Sequence, residues 1–472
     1  MSDIQERYIS ANQAHLFASF EDLTNGERKR LLSQLEQIPD PSKYLQEVQE
    51  AIRYSTSVSK SRRFSPLPAQ ACASTLDTSS ETLKEWNDVG MDLIAKGKVG
   101  VILMAGGQGS RLGSAAPKGC YNVGLPSQKS LFQLQAERLK KLQQLANTQR
   151  VIPLYVMTSK PTRTATENFF TKNNYFGLES SQVIFFDQGT LPAVSLDGTK
   201  LLLESKSSLI ESPDGNGGLY KAIYDNGLLQ DFAKRGIEHI HMYCVDNVLV
   251  KVGDPIFIGY ASTNKYHIAT KVVRKRTADE SVGLIVMDEE TRHPAVIEYS
   301  EVSQELREKR DPQGLLFFRA ANIVNHYYNV AFLQEMIPKW ISDRRFLPYH
   351  VARKKIAYLD VGSGKIVEPR EPNGIKLEQF IFDVFSSVEM HKFGCLEVDR
   401  AEEFSPLKNA PGSANDGPET CKANLLSRSA RWLTKAGAIL LGSEIEVSPL
   451  TSYSGEGLEK YLGSRIGSPA VV

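Results

Sequence analysis

The sequence predicts an α/β protein built on a doubly wound sheet. Three observations carry that prediction. Apolar strand patterns alternate with helical ones from Val99 onward, and the first of them empties into a loop of four glycines, Ala105-Gly106-Gly107-Gln108-Gly109-Ser110-Arg111-Leu112-Gly113. The residues before Val99 have helical spacing. At 472 residues the chain exceeds the usual size of one domain, and two or three are expected.

Taken in order, residues 1–95 read as an N-terminal helical region. Phe17, Phe20, Leu31, Leu32 and Leu35 recur at helix-like spacings, and Thr24-x-x-Glu27 is a capping box. Ser55 to Ala71, rich in Ser, Pro and Arg, reads as a loop. Thr78-x-x-Glu81 is a second capping box opening a stripe of Leu83, Trp86, Leu93 and Ile94. The core spans residues 96–384. Strands are predicted over Val99–Met104, Val151–Met157 and Val183–Phe186, separated by helices over Ser130–Ala146 and Thr162–Thr171. Asp197-Gly198 and the polar turn in MDEETRHPAVIEYS are hairpin signals. The sheet continues through Ile237–Val245, His267–Val273 and Leu315–Phe318. Residues 385–472 form a smaller mixed segment with a helix over Pro418–Thr434.

Composition narrows the function classes. With 56 Lys+Arg against 55 Asp+Glu the net charge is +1, so bulk attraction to nucleic acid or to an anionic membrane is not expected, while a local basic pocket stays open. Cys72, Cys120, Cys244, Cys395 and Cys421 are scattered and never spaced as CxxC, which suggests neither a disulfide framework nor a zinc site. The N-terminus is charged from Asp3 and lacks the apolar core of a signal peptide, and no apolar run nears the roughly 20 residues of a membrane helix. A cytoplasmic protein is expected.

The glycine loop fits neither familiar nucleotide motif. Gly107-x-Gly109 is followed by Gly113, one position late for the dinucleotide fingerprint, and GxxxxGK[ST] is absent. What remains is a strand, a glycine turn, Arg111 and then Pro117-Lys118-Gly119. Exposed main-chain N–H groups, a planar guanidinium fork and a mobile ammonium suit a polyphosphate, although such turns also serve close packing. Pro213-Asp214-Gly215-Asn216-Gly217-Gly218 precedes a helical pattern and suits a sugar hydroxyl or phosphate, or is an ordinary tight turn. Ile240 to Asp246 reads as a strand ending in a carboxylate. Ligands of wound sheets sit at carboxyl ends of strands, so Asp246 there can hold a hard cation, or can simply form a turn. His239 and His241 have no Cys or Glu partners nearby in sequence and read as structural. Glu402 to Asn409 is a polar loop in which Lys408 carries no signal of its own.

Together these segments resemble one family. AGGQGSRLG, APKGCYNVGLPS, PDGNGGLYKA, YCVDNVLVKVGDP, VIEYSE, NGIKLEQFIFDVF and EFSPLKNAPG are similar, in the same order, to segments of the eukaryotic UDP-N-acetylglucosamine pyrophosphorylases, or UTP:N-acetylglucosamine-1-phosphate uridylyltransferases. Ser110 stands where that family often has Thr, which keeps the hydroxyl. The resemblance implies a Rossmann-like nucleotidyltransferase core with a mixed doubly wound sheet, an N-terminal helical region and a smaller C-terminal β-rich lobe. It further implies that Ala105, Gly106, Gly107, Gln108 and Gly109 embrace UTP, that Gln188 helps read uracil, and that Gly215, Asn216, Gly217, Gly283, Glu298 and Asn322 face the sugar. Phe380 and Phe382 would shape the N-acetyl pocket. Arg111, Lys118 and Lys408 would be catalytic, and Asp246 would hold Mg²⁺, with Mn²⁺ equally open. UTP and N-acetylglucosamine-1-phosphate would be the partners of a monomer. A UDP-glucose or broad UDP-sugar pyrophosphorylase is the alternative within enzymes, and a non-catalytic nucleotide-sugar-binding protein the alternative outside them.

Overall fold

Eight strands form the path of the central sheet: β1 (Cys72–Ser74), β2 (Val99–Met104), β3 (Leu154–Thr158), β4 (Val183–Asp187), β5 (His239–Cys244), β6 (Ile268–Arg274), β7 (Ala320–Asn329) and β8 (Phe393–Glu397). This computed structural model describes residues 3–57, 62–298 and 301–472. Residues 58–61 of the expected Ser55–Ala71 loop, and Tyr299-Ser300 of the VIEYSE segment, lie outside the described residues. The spatial order is β1-β8-β6-β7-β5-β2-β3-β4. Neighbours run parallel except at β7, which is antiparallel to both β5 and β6. The strands Phe64–Ser65, Leu284–Asp288 and Pro294–Ile297 extend the sheet, the last two as the hairpin expected around the MDEETRHP turn.

The order explains where a ligand can sit. From β2 the chain steps outward to β3 and β4, whereas β5 lies on the other side of β2. The reversal between β2 and β5 leaves a crevice outside their carboxyl ends, and the glycine loop follows β2 while Asp246 follows β5. All six residues of β2 are buried, as a parallel strand covered on both faces requires. The helix Leu131–Leu145 covers it, opened by Ser130, whose side chain accepts from the Gln133 N–H.

Most boundaries agree with the sequence within a few residues, and two differ. The helix Ser80–Ala95 is capped by Ser79, which accepts from Thr82 N–H, so the Thr78–Glu81 box is not formed. Two adjacent residues can cap equally well there, and the one that sets the burial of Trp86 and Ile94 prevails. Leu315–Phe318 is not a strand; only Leu316 makes a bridge, to Arg310, and Phe318 turns into an apolar cluster with Leu284, Val286 and Ile297. The strand begins at Ala320 instead. The C-terminal segment inserts β8 between β1 and β6, carries the helix Pro418–Lys435 and adds four two-residue strands paired in parallel.

The chain gathers into two compact units that cut across the three consecutive regions expected above. The larger holds Arg63–Asp187, Ile223–Ile337 and Phe385–Val472; the smaller holds Met1–Arg62, Gln188–Ala222 and Pro338–Val384. In the smaller, Gly374–Glu378 lies between His350–Lys354 and Val194–Ser195 in an antiparallel sheet, and the Asp197-Gly198 turn follows with a bridge from Val194 to Leu201. Helices Asp3–Ser10, Asn25–Glu36 and Pro41–Ser57 pack there through Tyr8, Leu31, Leu35 and Val48 against Val194, Leu201, Ile375 and Leu377. The Thr24–Glu27 capping box is present.

Two buried histidines make the larger unit acid-sensitive. His241 on β5 accepts from Gly253 N–H at Nδ1 and donates from Nε2 to Asn325 Oδ1, which fixes it neutral. Burial, then the Lys271 charge, lowers its pKa to about 4. Burial likewise lowers His326, on β7, to about 3. The unfolded chain therefore binds more protons than the folded one below about pH 6.5, and stability is lost as pH falls from there toward the folded values. Each residue is expected to cost about 2 kcal/mol at pH 5 relative to pH 7.5. Urea titrations of wild type, His241→Asn and His326→Asn at the two pH values check this, with a smaller pH difference expected in each variant.

Candidate functional site

The glycine loop is a narrow ribbon leaving the sheet. Ala105 N–H extends the ladder to Met157 O at 2.9 Å, then Gly109 N–H bonds Ala116 O and Lys118 N–H bonds Gly107 O, so that Gln108 faces Pro117. Ser159 Oγ holds Gly106 O at 2.6 Å. Among the described residues nothing accepts from the N–H groups of Gly106, Gly107 or Gln108. A Cβ at Gly107 would meet nothing within 4 Å, so protein packing does not demand that glycine. Open donors and open space together suit a close-approaching anion. Arg111 lies on the 3₁₀ turn Ser110–Leu112, anchored by buried Leu112, and its exposed guanidinium pairs with no described residue.

Asp246 follows β5 at the same edge. Val245 N–H bonds Met104 O, and Asp246 O accepts from Leu407 N–H at 2.8 Å. Leu407 O in turn accepts from Lys118 Nζ at 3.2 Å. Burial and the Asp246 charge push the Cys244 thiol pKa up, and the Lys408 and Lys118 charges pull it down. Lys408 is exposed, and neither its ammonium nor the half-buried Asp246 carboxylate has a described partner. No group of three His, Cys, Asp or Glu among the described residues could hold a metal ion. A single carboxylate still suits a hard cation that takes its other ligands from phosphate and water. His239 and His241 are spent on Tyr327 and Asn325, in keeping with a structural role.

Gly283, Glu298 and Asn322 come together at the start of β7. Asn322 N–H bonds Gly283 O at 2.9 Å, and Glu298 Oε1 lies 3.8 Å from where a Cβ on Gly283 would sit. Burial, then Glu301, raises the Glu298 pKa. Asn322 Oδ1 accepts from the N–H of Val324, a β-branched residue at φ +51° beside the bulge in the β6 pairing. Backbone strain of this kind is held only where the surroundings over-determine it.

In the smaller unit the glycines of residues 213–218 form the tight turn that the sequence left open as an alternative. Gly217 is buried, its N–H bonds Gln379 O at 2.8 Å, and an added Cβ would lie 2.7 Å from Gln379 C and 2.8 Å from Phe380 N. Gly215, at φ +86°, meets Gln379 O in the same way. The turn is thus a close-packed seat for residues 379–381. Asn216 Oδ1 accepts from Ile381 N–H, leaving its amide nitrogen without a described partner. Gln188 donates to Asp214 Oδ1 at 3.3 Å. Phe380 and Phe382 are half-buried with ring centroids 5.3 Å apart, and His350 stacks on Phe380 at 4.0 Å while bonding Asp383 at 2.8 Å. The sequence reading missed Ser159, His350 and the buried Asn247; only the neighbouring Asp246 pointed toward the last.

A model of the UTP–glucose-1-phosphate uridylyltransferase family matches residues 43–452. The chain is 51% identical to the UDP-N-acetylglucosamine pyrophosphorylase of Saccharomyces cerevisiae over 480 residues, covering 100% of this chain and 99% of that protein. It is 43% identical to UDP-N-acetylhexosamine pyrophosphorylase-like protein 1 of Xenopus tropicalis, covering 97% and 93%. Among solved structures it resembles the uridine diphosphate N-acetylglucosamine pyrophosphorylase of Trypanosoma brucei with a TM-score of 0.83 and 31% identity, covering 98% of this chain and 95% of that one.

The two glycine loops should respond oppositely to a methyl group. Gly217→Ala is expected to destabilise by about 1–3 kcal/mol through overpacking. Gly107→Ala should leave stability within about 0.5 kcal/mol of wild type. Urea unfolding midpoints of the two variants check both.

Proposed function

The chain belongs to the UTP–glucose-1-phosphate uridylyltransferase family and, within it, to the UDP-N-acetylglucosamine pyrophosphorylases, and from that premise we propose that it makes UDP-N-acetylglucosamine and pyrophosphate from UTP and N-acetylglucosamine-1-phosphate. A phosphate oxygen of the sugar substrate attacks the α-phosphorus of UTP, the bond to the bridging oxygen of the β-phosphate breaks, and pyrophosphate leaves. The substrate supplies its own anionic nucleophile, so no protein nucleophile is needed.

The obstacle is electrostatic. UTP carries about four negative charges and the sugar phosphate about two, so they repel one another. The observation that carries the reading is the tie of Lys118 to the Asp246 loop through Leu407, which accepts from Lys118 Nζ and donates its N–H to Asp246 O at the edge where the strand order reverses. Arg111 would neutralise the departing β- and γ-phosphates, Lys118 the α-phosphate, and Lys408 the phosphate of the sugar substrate. A divalent cation, Mg²⁺ or Mn²⁺, held by Asp246 would supply further phosphate neutralisation. The open N–H groups of Gly106 and Gly107 fit UTP, with Gln188 a reader of uracil.

In the smaller unit, the free amide nitrogen of Asn216 and the rings of Phe380 and Phe382 offer a donor and an apolar wall to an N-acetyl group. In the larger, Gly283, Glu298 and Asn322 offer polar contacts to a sugar. A donor left unpaired by glucose-1-phosphate would discriminate against it more strongly than spare volume would. No helix among the described residues is long and apolar enough to cross a membrane, and the five cysteines are free, which supports work on small-molecule substrates in the cytoplasm.

Pyrophosphate release by the purified protein, with UTP, Mg²⁺ and either N-acetylglucosamine-1-phosphate or glucose-1-phosphate, tests the reading. Rapid release with the acetylated sugar alone is expected; equal rates would point to a broad UDP-sugar enzyme, and no release to a binding protein. Arg111→Ala and Asp246→Ala are each expected to lower kcat by about 10²–10³. Because neither side chain has a described protein partner, their melting temperatures should match wild type, and calorimetry checks that separation.

A further inference from the structure

Lys408 is the first free side chain after a stretch of backbone that is fastened almost continuously. The Glu403 carboxylate pairs with fully buried Lys271 and with Lys251 at 3.4 Å. Glu402 O accepts from Arg428, which also holds Leu249 O. Glu403 O accepts from Asn247 Nδ2 at 2.7 Å, Ser405 N–H donates to Asn247 Oδ1 at 3.0 Å, and Ser405 O accepts from Val248 N–H at 3.0 Å. Leu407 gives its N–H to Asp246 O and its carbonyl to Lys118. One side chain therefore bonds both Glu403 and Ser405 while steadying its own loop through Leu249 N–H at 3.2 Å. Asn247 is only 4% exposed, too deep to touch a ligand itself.

We propose that Asn247 is a positioning residue: its amide clamps Glu403 and Ser405 to the Asp246 loop and so fixes where the Lys408 ammonium stands relative to Asp246 and Lys118. The proposal rests on the reading of Lys408 as a group that meets substrate phosphate. An amide suits the task because the clamp needs a donor and an acceptor on one rigid plane. Asp would keep the acceptor for Ser405 and Leu249 but set an oxygen against Glu403 O, and Ala would lose all three bonds. An ammonium on a four-carbon stem loses most of its worth when its backbone origin wanders by an ångström, since catalysis of this kind depends on placement.

The test is a double-mutant cycle on the full-length protein, with kcat and KM measured separately for UTP and N-acetylglucosamine-1-phosphate. Asn247→Ala is expected to lower kcat about tenfold, with KM for UTP changed less than about twofold. In the Lys408→Ala background the same change should cost less than about twofold, because the group it positions is gone. A tenfold fall in both backgrounds would overturn the proposal, marking Asn247 as acting on the whole site. Asn247→Asp, which keeps both accepted bonds, serves if Asn247→Ala melts early, and the same comparison of backgrounds decides. Hydrogen exchange over residues 403–409 gives a readout that does not depend on turnover. Faster exchange there in the Asn247 variants, with the rest of the chain unchanged, is expected; unchanged exchange would overturn the clamp. Wild-type protein that releases no pyrophosphate would instead sink the proposed reaction, and the exchange result would still judge the clamp.

Discussion

The buried ammonium of Lys271 is the constraint on which the sheet edge carrying Asp246 and Lys408 depends. It stands on β6 with no exposure and is met by Asp254 at 2.5 Å and by Glu403. Burial pushes the Asp254 carboxyl up, but Lys271 and Lys251 outweigh it and hold its pKa below the usual range. Asp254 also caps the helix Pro255–Thr263 by accepting from Ile256 N–H. One lysine thus joins a sheet strand, a helix start and the segment that ends on Lys408. Removing one member of such a group leaves a bare charge in the interior, which typically costs about 3–5 kcal/mol. The arrangement resists repacking, and its geometry is inherited by everything attached to it.

Seen from that anchor, the charges of the larger unit divide into two populations. Deep ones are satisfied: Lys271 by two carboxylates, Arg138 by Val250 O, Arg428 by Leu249 O and Glu402 O. Those at the sheet edge, Arg111, Lys408 and Asp246, have no described partner. A protein that stabilised only its own fold would pair them, so their isolation fits a site whose missing counter-charges arrive with the substrate. The loop after β5 is built to tolerate this, since its carbonyls at Val245, Leu249, Val250 and Val252 are held by Gln135, Arg428, Arg138 and Tyr453.

How much of this could be read from the sequence depended on the range of the interaction. Local signals read well: the apolar run of β2, the Thr24–Glu27 box and the Ser130-capped helix all depend on neighbours within a few residues. The glycine loop announced itself, but glycine serves both open cradles and tight seats, and only the surroundings separate Gly107 from Gly217. The polar residues of β7, Asn322, Asn325 and His326, break the apolar pattern and hide the strand; Asn322 bonds Val324 N–H beside the bulge, Asn325 bonds His241 on β5, and His326 bonds Tyr328 through Nδ1. Lys408 was unremarkable as text. Its placement comes from Asn247, 156 residues from the Glu403 carbonyl it binds, and no local pattern reports such a bond. Only the family resemblance singles out Lys408; residue chemistry does not.

The interleaving of the chain has a consequence for its birth on the ribosome. β8 lies inside the sheet, between β1 and β6, so the central sheet cannot close until residue 397 has emerged. The cluster that holds Tyr8, Leu31 and Leu35 is likewise completed only when Ile375 and Leu377 have been made. For most of translation both units therefore exist as fragments with apolar faces open to water, a state prone to association. A chain cut before residue 393 would lack β8 and leave β1 and β6 without their shared neighbour.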